Sequence, residues 1–329
     1  MKQRQLGQSG PQVSVVGYGA MSFTDFYGPA TDTGSMGILD ACVEYGITHI
    51  DTSNVYGMGR SETVIGEWLK RRGGQPPFAI ATKGGITRQT DRRFNNEREH
   101  LAQALDASLS RLGVEAIDLY YIHRREPEIE IEDVTETLAG FVKAGKVKAI
   151  GFSEIAPSSL RRAHAVHPIA AVQSEYSLST RSPEMGLVQT CKEIGASLVA
   201  FSPVGRALLT DRPHQADAIS EMAFLKVNPR FIEPNLSANI VATAKFRELA
   251  ADMGVAAGSL AIAWLTHQGD HILPIPGTRH VSHLLELVKG GGLDLSNEDL
   301  KRIEEVLPVG WAHGDRYSAG QWIGPERYC

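Results

Sequence analysis

Asp51, Tyr56, Lys83 and His123 stand at, or just after, the ends of three consecutive short apolar runs, residues 48–52, 78–82 and 117–123. The four residue types form an acid–base set suited to carbonyl reduction. A carbonyl that accepts hydride develops negative charge on its oxygen and needs a proton donor. Tyrosine is a weak donor at neutral pH, with an unperturbed pKa of about 10, and a neighbouring lysine cation favours the tyrosinate. An aspartate keeps that lysine charged by pairing with it. A neutral histidine can hold the substrate oxygen and share the proton. Singly, a strand-end Asp or His is more often a satisfied structural residue, and a Lys before Gly84-Gly85 a solvated turn. All four in succession argue for chemistry.

Groups at successive strand ends need a parallel sheet to gather them. The chain offers about eight short apolar runs rich in β-branched residues, the number a closed barrel requires: 13–18, 48–52, 78–82, 117–123, 147–152, 170–174, 197–202 and 271–275. They show little period-2 alternation, as strands buried on both faces do. Between them lie segments of helical period: 35–45, 61–71, 99–112, 134–144, 157–167, 183–194, 238–253, 257–267, 281–289 and 297–307. In 99–112, for example, Leu101, Leu105, Leu109 and Leu112 share one face. Ser296 before Asn297-Glu298-Asp299 predicts an N-cap with acidic residues in the first turn. Ahead of this alternation, residues 3–6 and 12–14 flank Gly7-Gln8-Ser9-Gly10 and predict a β-hairpin. The pattern alone admits a closed barrel or an open doubly wound sheet. No composition break marks a boundary, so a single domain over 1–329 is expected. The connection 206–237, with Pro213, Pro229 and Pro234, is long enough to predict a lid or binding loop, a mobile insertion being the alternative.

Composition narrows the partners. At 42% hydrophobic and 22% charged, the 329 residues can build a sizeable core, and the net charge of -5 argues against nucleic-acid or anionic-membrane partners. Cys42, Cys191 and Cys329 are far apart and form no Cys-x-x-Cys pair, so neither a disulfide framework nor a metal site is expected. The first ten residues are polar, no run approaches the roughly 18 apolar residues of a membrane helix, and a cytoplasmic protein is expected. Val16-Gly17-Tyr18-Gly19-Ala20-Met21 carries Ser22 where a dinucleotide fingerprint needs its third glycine.

Longer stretches carry a family resemblance. Gly46-Ile47-Thr48-His49-Ile50-Asp51-Thr52-Ser53-Asn54-Val55-Tyr56-Gly57 closely resembles the first signature of the aldo-keto reductases. Ala81-Thr82-Lys83, Asp118-Leu119-Tyr120-Tyr121-Ile122-His123, Val147-Lys148-Ala149-Ile150-Gly151-Phe152-Ser153 and Pro274-Ile275-Pro276-Gly277-Thr278-Arg279 follow in the family's order, and the likeness runs from Leu6 to about Leu307. It implies an α/β (β/α)8 barrel with an N-terminal hairpin at its bottom, a C-terminal helix and tail, and NADP(H) across the top, with NAD(H) as the alternative cofactor. It makes Tyr56 the general acid, Lys83 and Asp51 its tuners, and His123 the group orienting the carbonyl. Ser153 and Gln173 would hold the nicotinamide carboxamide and Phe201 would stack on its ring. Ser202, Pro203, Val204 and Gly205 would line the pyrophosphate, with Arg206 nearby. Gly277, Thr278 and Arg279 would hold the 2′-phosphate, with His283 beside them and Glu286 on the adenine edge. An arginine and a hydroxyl at the start of the 281–289 helix suit an anion.

Some positions depart from the family pattern. Glu154 replaces the Asn usual after Ser153, Phe201 a Tyr, Leu287 an Asn and His283 an Arg, so preference for NADP over NAD is expected to rest mostly on Arg279. The substrate, a small carbonyl or alcohol, is expected among Met21, Phe23, Phe26, Tyr27, Tyr56 and Arg124, with Trp68 less favoured. Arg124-Arg125 could select an anionic or hydroxylated substrate, though a solvated pair facing Glu126 and Glu128 is slightly favoured. Trp311, His313, Tyr317 and Trp322 predict a tail that folds over something. Two other functions stay open: a sugar or pyridoxal-type alcohol dehydrogenase of the same family, and a non-catalytic nucleotide-sensing regulatory subunit. Oligomeric state is not legible.

Overall fold

The computed structural model describes residues 1–8, 10–87 and 92–328. Ser9, at the tip of the expected hairpin, and Cys329 lie outside the described residues. Strands β1 (Gln3–Gln5) and β2 (Gln12–Ser14) pair antiparallel, Gln3 opposite Ser14. Eight parallel strands follow: β3 (Tyr18–Gly19), β4 (His49–Asp51), β5 (Ala79–Gly84), β6 (Leu119–Ile122), β7 (Ile150–Ser153), β8 (Ala171–Glu175), β9 (Ser197–Phe201) and β10 (Ile272–Pro274), each bonded to the next in sequence. The sheet closes because Gly17 N donates to Pro274 O at 2.9 Å and Gly19 N to Pro276 O at 3.0 Å. A Cβ on Gly19 would lie 2.8 Å from Ile275 O, so the closing seam needs glycine there. The pair that looked like part of a dinucleotide fingerprint is therefore a barrel seam.

Alternation does exist along these strands, hidden by burial on both faces. Ile50, Ile80, Tyr120, Ile122, Phe152, Val172, Leu198 and Ile272 join the large core beneath the helices. Ala81, Leu119, Tyr121, Ala171, Val199 and Leu273 fill the barrel, where Leu6 and Val13 from the hairpin join them and plug its bottom. Burying each large apolar side chain contributes about 1.5–3 kcal/mol. Toward the C-terminal ends the buried strand residues include Asp51, Lys83, Ser153 and Gln173, while His49 and Ser197 are buried polar groups at the opposite ends.

The outer layer comprises α1 (Asp32–Glu44), α2 (Arg60–Arg71), α3 (Arg98–Leu112), α4 (Ile131–Lys143), α5 (Pro157–Val166), α6 (Leu187–Ile194), α7 (Ala216–Ser220), α8 (Asn235–Asp252), α9 (Ala257–Thr266), α10 (Val281–Gly290) and α11 (Asn297–Val306). Each expected helical segment holds one, and α11 begins on a capping box in which Ser296 and Asp299 satisfy one another's backbone N–H. Most expected boundaries shift by up to three residues, and two segments divide. The run 13–18 is not one strand: Val13 and Ser14 belong to the hairpin, where Ser14 and Thr48 exchange hydrogen bonds of 2.7 and 2.9 Å, and the barrel strand begins at Tyr18. The segment 183–194 splits because Gly186, at φ +123°, cannot continue a helix, so α6 starts at Leu187. The long connection 206–237 is no structureless insertion. It carries α7 and two short 3-10 turns around a small core of Leu208, Ile219, Met222, Leu225, Phe231 and Leu236. No single described helix is long and apolar enough to cross a membrane.

Candidate active site

Asp51 ends β4, Lys83 lies near the end of β5, and His123 follows β6 directly. Tyr56 opens a 3-10 turn whose Gly57, Met58 and Gly59 all have positive φ, which turns the chain sharply back toward α2. Lys83 is completely buried, and its three ammonium donors are all used. They go to the Asp51 carboxylate, to Thr52 O at 2.7 Å and to Tyr56 Oη at 3.3 Å. Gln173 Nε2 donates to the other Asp51 oxygen at 2.7 Å. Burial works against the Lys83 cation, but the charge of Asp51 and its bonds outweigh that and raise the pKa. The ammonium thus stays charged against the phenol oxygen.

His123 behaves oppositely. Burial, then the charges of Arg124 and Lys83, hold its pKa well below the ordinary histidine value, so the ring is neutral. Nδ1 is 3.0 Å from Ser53 Oγ, and the ring meets Tyr56 edge-on with centroids 5.7 Å apart. A phenol on a buried cation and a neutral imidazole therefore face the same space.

That space is a cavity of about 570 Å³ over the C-terminal mouth of the barrel. At one end it is walled by Met21, Tyr27, Val55, Tyr56, Ile86, His123, Arg124, Phe224 and Tyr317. It continues past Ser153, Gln173, Phe201, Ser202, Pro203, Val204 and Arg206 to Gly277, Thr278, Arg279, His283 and Glu286. Of the residues singled out from sequence, Lys83 lies beneath the cavity, and Gly205 is off its lining. Gly205 has φ +58°, and a Cβ there would sit 2.9 Å from Ser179 Oγ, so its place is set by backbone packing.

The far end suits a phosphate-bearing nucleotide. Arg279, which donates to Pro29 O at 2.7 Å, and Arg212, paired with Glu286 at 2.8 Å, flank the first turn of α10. Cations and a helix N-terminus attract anions together. Burial, with Arg212 and His280 nearby, lowers the His283 pKa, which leaves the arginines as the principal cations. Phe201 offers a flat face, and Ser153 and Gln173 offer hydroxyl and amide groups beside the Tyr56 end.

Several expectations need correction. Phe23 and Trp68 are core residues, not pocket lining: Trp68 stacks on Phe78 at 5.5 Å and donates Nε1 to Asp40 at 2.9 Å. Arg124-Arg125 is not a solvated pair. Arg125 binds Glu326 of the tail at 2.6 Å, Arg124 lines the cavity, and Glu126 is taken by Arg92 and Asn96 N. Glu154 has φ +59°, and its carboxylate accepts from Ser174 Oγ at 3.0 Å, Glu175 N at 2.9 Å and Arg316 at 2.5 Å. Arg206 lines the cavity but makes a two-pronged pair with Glu175 at 2.9 and 2.8 Å. Burial would raise the Glu175 pKa, yet Arg206, Arg316 and Arg230 together lower it. Burial brings Arg230 down to about 10, still a cation at neutral pH. Sequence reading missed Glu175, Arg212, Phe224, Arg230 and Arg316. Only Glu175 had a local signal, two residues beyond Gln173 and so on the same strand face.

The comparisons with known proteins identify the family and the fold. A family model described as the aldo/keto reductase family matches residues 15–308. The chain is 37% identical over 323 residues to an aldo-keto reductase of Schizosaccharomyces pombe whose name specifies NADP(+), covering 96% of this chain and 94% of that one. It is 36% identical over 319 residues to a probable aldo-keto reductase of Glycine max, covering 96% and 92%. Among solved structures, a glycerol dehydrogenase from Gluconobacter oxydans shares the fold at TM-score 0.81 and 24% identity over 93% of this chain and 94% of its own. A thermostable aldo-keto reductase solved with the inhibitor epalrestat superposes at TM-score 0.74 and 27% identity, covering 93% of this chain and 100% of its own.

Proposed function

The chain belongs to the aldo/keto reductase family, and on that premise we propose that it transfers a hydride between NADP(H) and the carbonyl carbon of an aldehyde, ketone or sugar, with Tyr56 as general acid/base. The observation that carries this reading is the Lys83 ammonium bonded to both Asp51 and Tyr56 Oη, with neutral His123 edge-on to the same phenol. NADP(H), when bound, supplies or accepts the hydride. Arg279, Thr278 and Arg212 would hold its 2′-phosphate end, Glu286 the adenine edge, and Phe201, Ser153 and Gln173 the nicotinamide.

The remaining work falls to the chain itself. His123 donates a hydrogen bond to the carbonyl oxygen from the ring nitrogen that Ser53 does not engage. As the carbonyl carbon takes the hydride, Tyr56 gives its proton to the oxygen, and the alcohol forms. Lys83 faces the resulting phenolate as a fixed positive charge, and solvent restores the proton. Asp51, held by Gln173, keeps the lysine charged while it is dehydrated. The apolar wall of Met21, Val55, Ile86, Phe224 and Tyr317 keeps water from the reacting carbon. Reduction and oxidation use the same groups, so the geometry sets no direction.

Fluorescence titration of the protein with NADPH and NADH tests the cofactor half of the reading. NADPH should bind the more tightly. Failure to bind either nucleotide would sink the proposal, and binding without turnover of any carbonyl or alcohol would favour a nucleotide-sensing role.

A further inference from the structure

Two arginines on the cavity have no ion pair among the described residues, Arg279 at the far end and Arg124 at the Tyr56 end, whereas their neighbours around the barrel mouth are paired. Arg92 pairs with Glu126 at 2.7 Å, Arg125 with Glu326 at 2.6 Å, Arg206 with Glu175 at 2.8 Å and Arg316 with Glu154 at 2.5 Å. Arg124 has no ion pair among the described residues, although it lines the cavity next to His123. Its NH1 donates to His123 O at 2.6 Å and to Ser153 Oγ at 3.1 Å, both neutral acceptors. The wall around it is largely apolar. Glu154 feels the charge of Arg124 but is bonded to Arg316, so this guanidinium, partly withdrawn from water, has no carboxylate of its own at ion-pair distance among the described residues, and a ligand anion would supply one.

The charges behind the wall act in the same direction. Glu154 and Glu175 are met by three buried arginines, Arg206, Arg230 and Arg316, which leaves an excess positive charge. Asp51 is neutralised by Lys83. The other acidic groups on the cavity are at its far end: Asp211 accepts from Ala257 N at the start of α9, and Glu286 pairs with Arg212. Among the described residues, the Tyr56 end therefore presents a net positive field inside an apolar wall, which attracts anions and repels cations.

We propose that Arg124 makes this end of the cavity a site for carbonyl substrates that also carry a carboxylate, the guanidinium holding the anion while Tyr56 and His123 face the carbonyl. This rests on the reductase reading above and narrows its substrate class. The carboxylate binds at the planar fork of Arg124, so it lies close to the reacting carbonyl, and lysine is an imperfect replacement.

The test compares kcat/KM for 3- and 4-carboxybenzaldehyde with their methyl esters, in the wild type, Arg124→Met and Arg124→Lys. The wild type should prefer at least one acid over its ester by about 10- to 100-fold, the size of a charge-assisted hydrogen bond. Arg124→Met should bring that ratio near one, and Arg124→Lys should restore part of it. A wild type without preference overturns the proposal. So does an Arg124→Met that loses acid and ester alike, because Arg124 would then act through Ser153 and His123. If no carbonyl is reduced, the reductase reading fails separately. Equilibrium binding of 4-(hydroxymethyl)benzoate and its methyl ester, read by tryptophan fluorescence, then decides: preference for the acid sustains the proposal, and equal binding overturns it.

Discussion

The Glu154 carboxylate, just beyond β7, accepts a hydrogen bond of 2.5 Å from Arg316 in the C-terminal tail, and Glu326 N donates to Glu154 O at 2.8 Å. One residue in a left-handed conformation thus fastens the tail at two points over the barrel mouth. Arg316 also lies over the rings of Tyr317 and Trp322, at 4.5 and 4.6 Å, which fixes Tyr317 as a wall of the cavity. Replacing Arg316 by Met should destabilise the protein by about 3 kcal/mol, because a buried carboxylate loses its cation. Urea denaturation measures this, and the Glu154→Gln/Arg316→Met double variant should recover part of the loss. Additive losses would mean that the two residues do not act as a pair.

Lys83→Met should be damaging in two ways. The buried Asp51 loses its counter-ion, at a cost of about 3–5 kcal/mol, and Tyr56 loses the charge that faces its oxygen. We expect turnover to fall by about 100-fold or more. A folded variant with near-full kcat would contradict the role assigned to the lysine.

The neutral state of His123 predicts a pH dependence of stability. The unfolded chain protonates this histidine near pH 6.5, whereas the folded chain resists protonation until well below that. The stability contributed by the neutral ring is complete above about pH 6.5 and is lost as pH falls toward the folded value, by up to about 1.4 kcal/mol per pH unit. His49, also buried and lowered by burial, adds to the same trend. Urea midpoints at pH 7.5 and 5.5 should therefore converge more in His123→Asn than in the wild type. An identical drop in both proteins would assign the pH dependence elsewhere.

Arg279→Ala should weaken NADPH by about tenfold or more, the value of a charge-assisted phosphate contact, with much less effect on NADH. Isothermal titration with both nucleotides measures the difference. Equal losses, or none, would move the 2′-phosphate site, with Arg212 as the next cation to test.

Much of this architecture was legible from sequence because it rests on local rules. Short doubly buried strands, leucines at helical spacing in α3 and the cap at Ser296 each specify their element within about ten residues. The set Asp51, Tyr56, Lys83 and His123 was legible because barrel topology brings successive strand ends together. Glu154, Glu175, Arg230 and Arg316 were not, because their partners lie far away in the chain: Arg316 is 162 residues from Glu154. Arg124 was misread for the same reason. Glu126 and Glu128 stand beside it in sequence, but Glu126 turns to Arg92 and Asn96, and only the fold shows that the arginine forms no ion pair among the described residues. Where 13–18 divides into two strands, the hydrophobic pattern was continuous and the barrel seam at Gly17 and Gly19 decided the break.

The role of Tyr56 is tested most directly by NADPH oxidation with 4-nitrobenzaldehyde, comparing the wild type with Tyr56→Phe at saturating cofactor. The account predicts steady loss of reduced-nicotinamide absorbance in the wild type. In the variant it predicts loss of nearly all turnover, with NADPH affinity kept within a few-fold, because only the proton donor has gone. A Tyr56→Phe protein that reduces the aldehyde at close to the wild-type rate would show that the proton comes from another group.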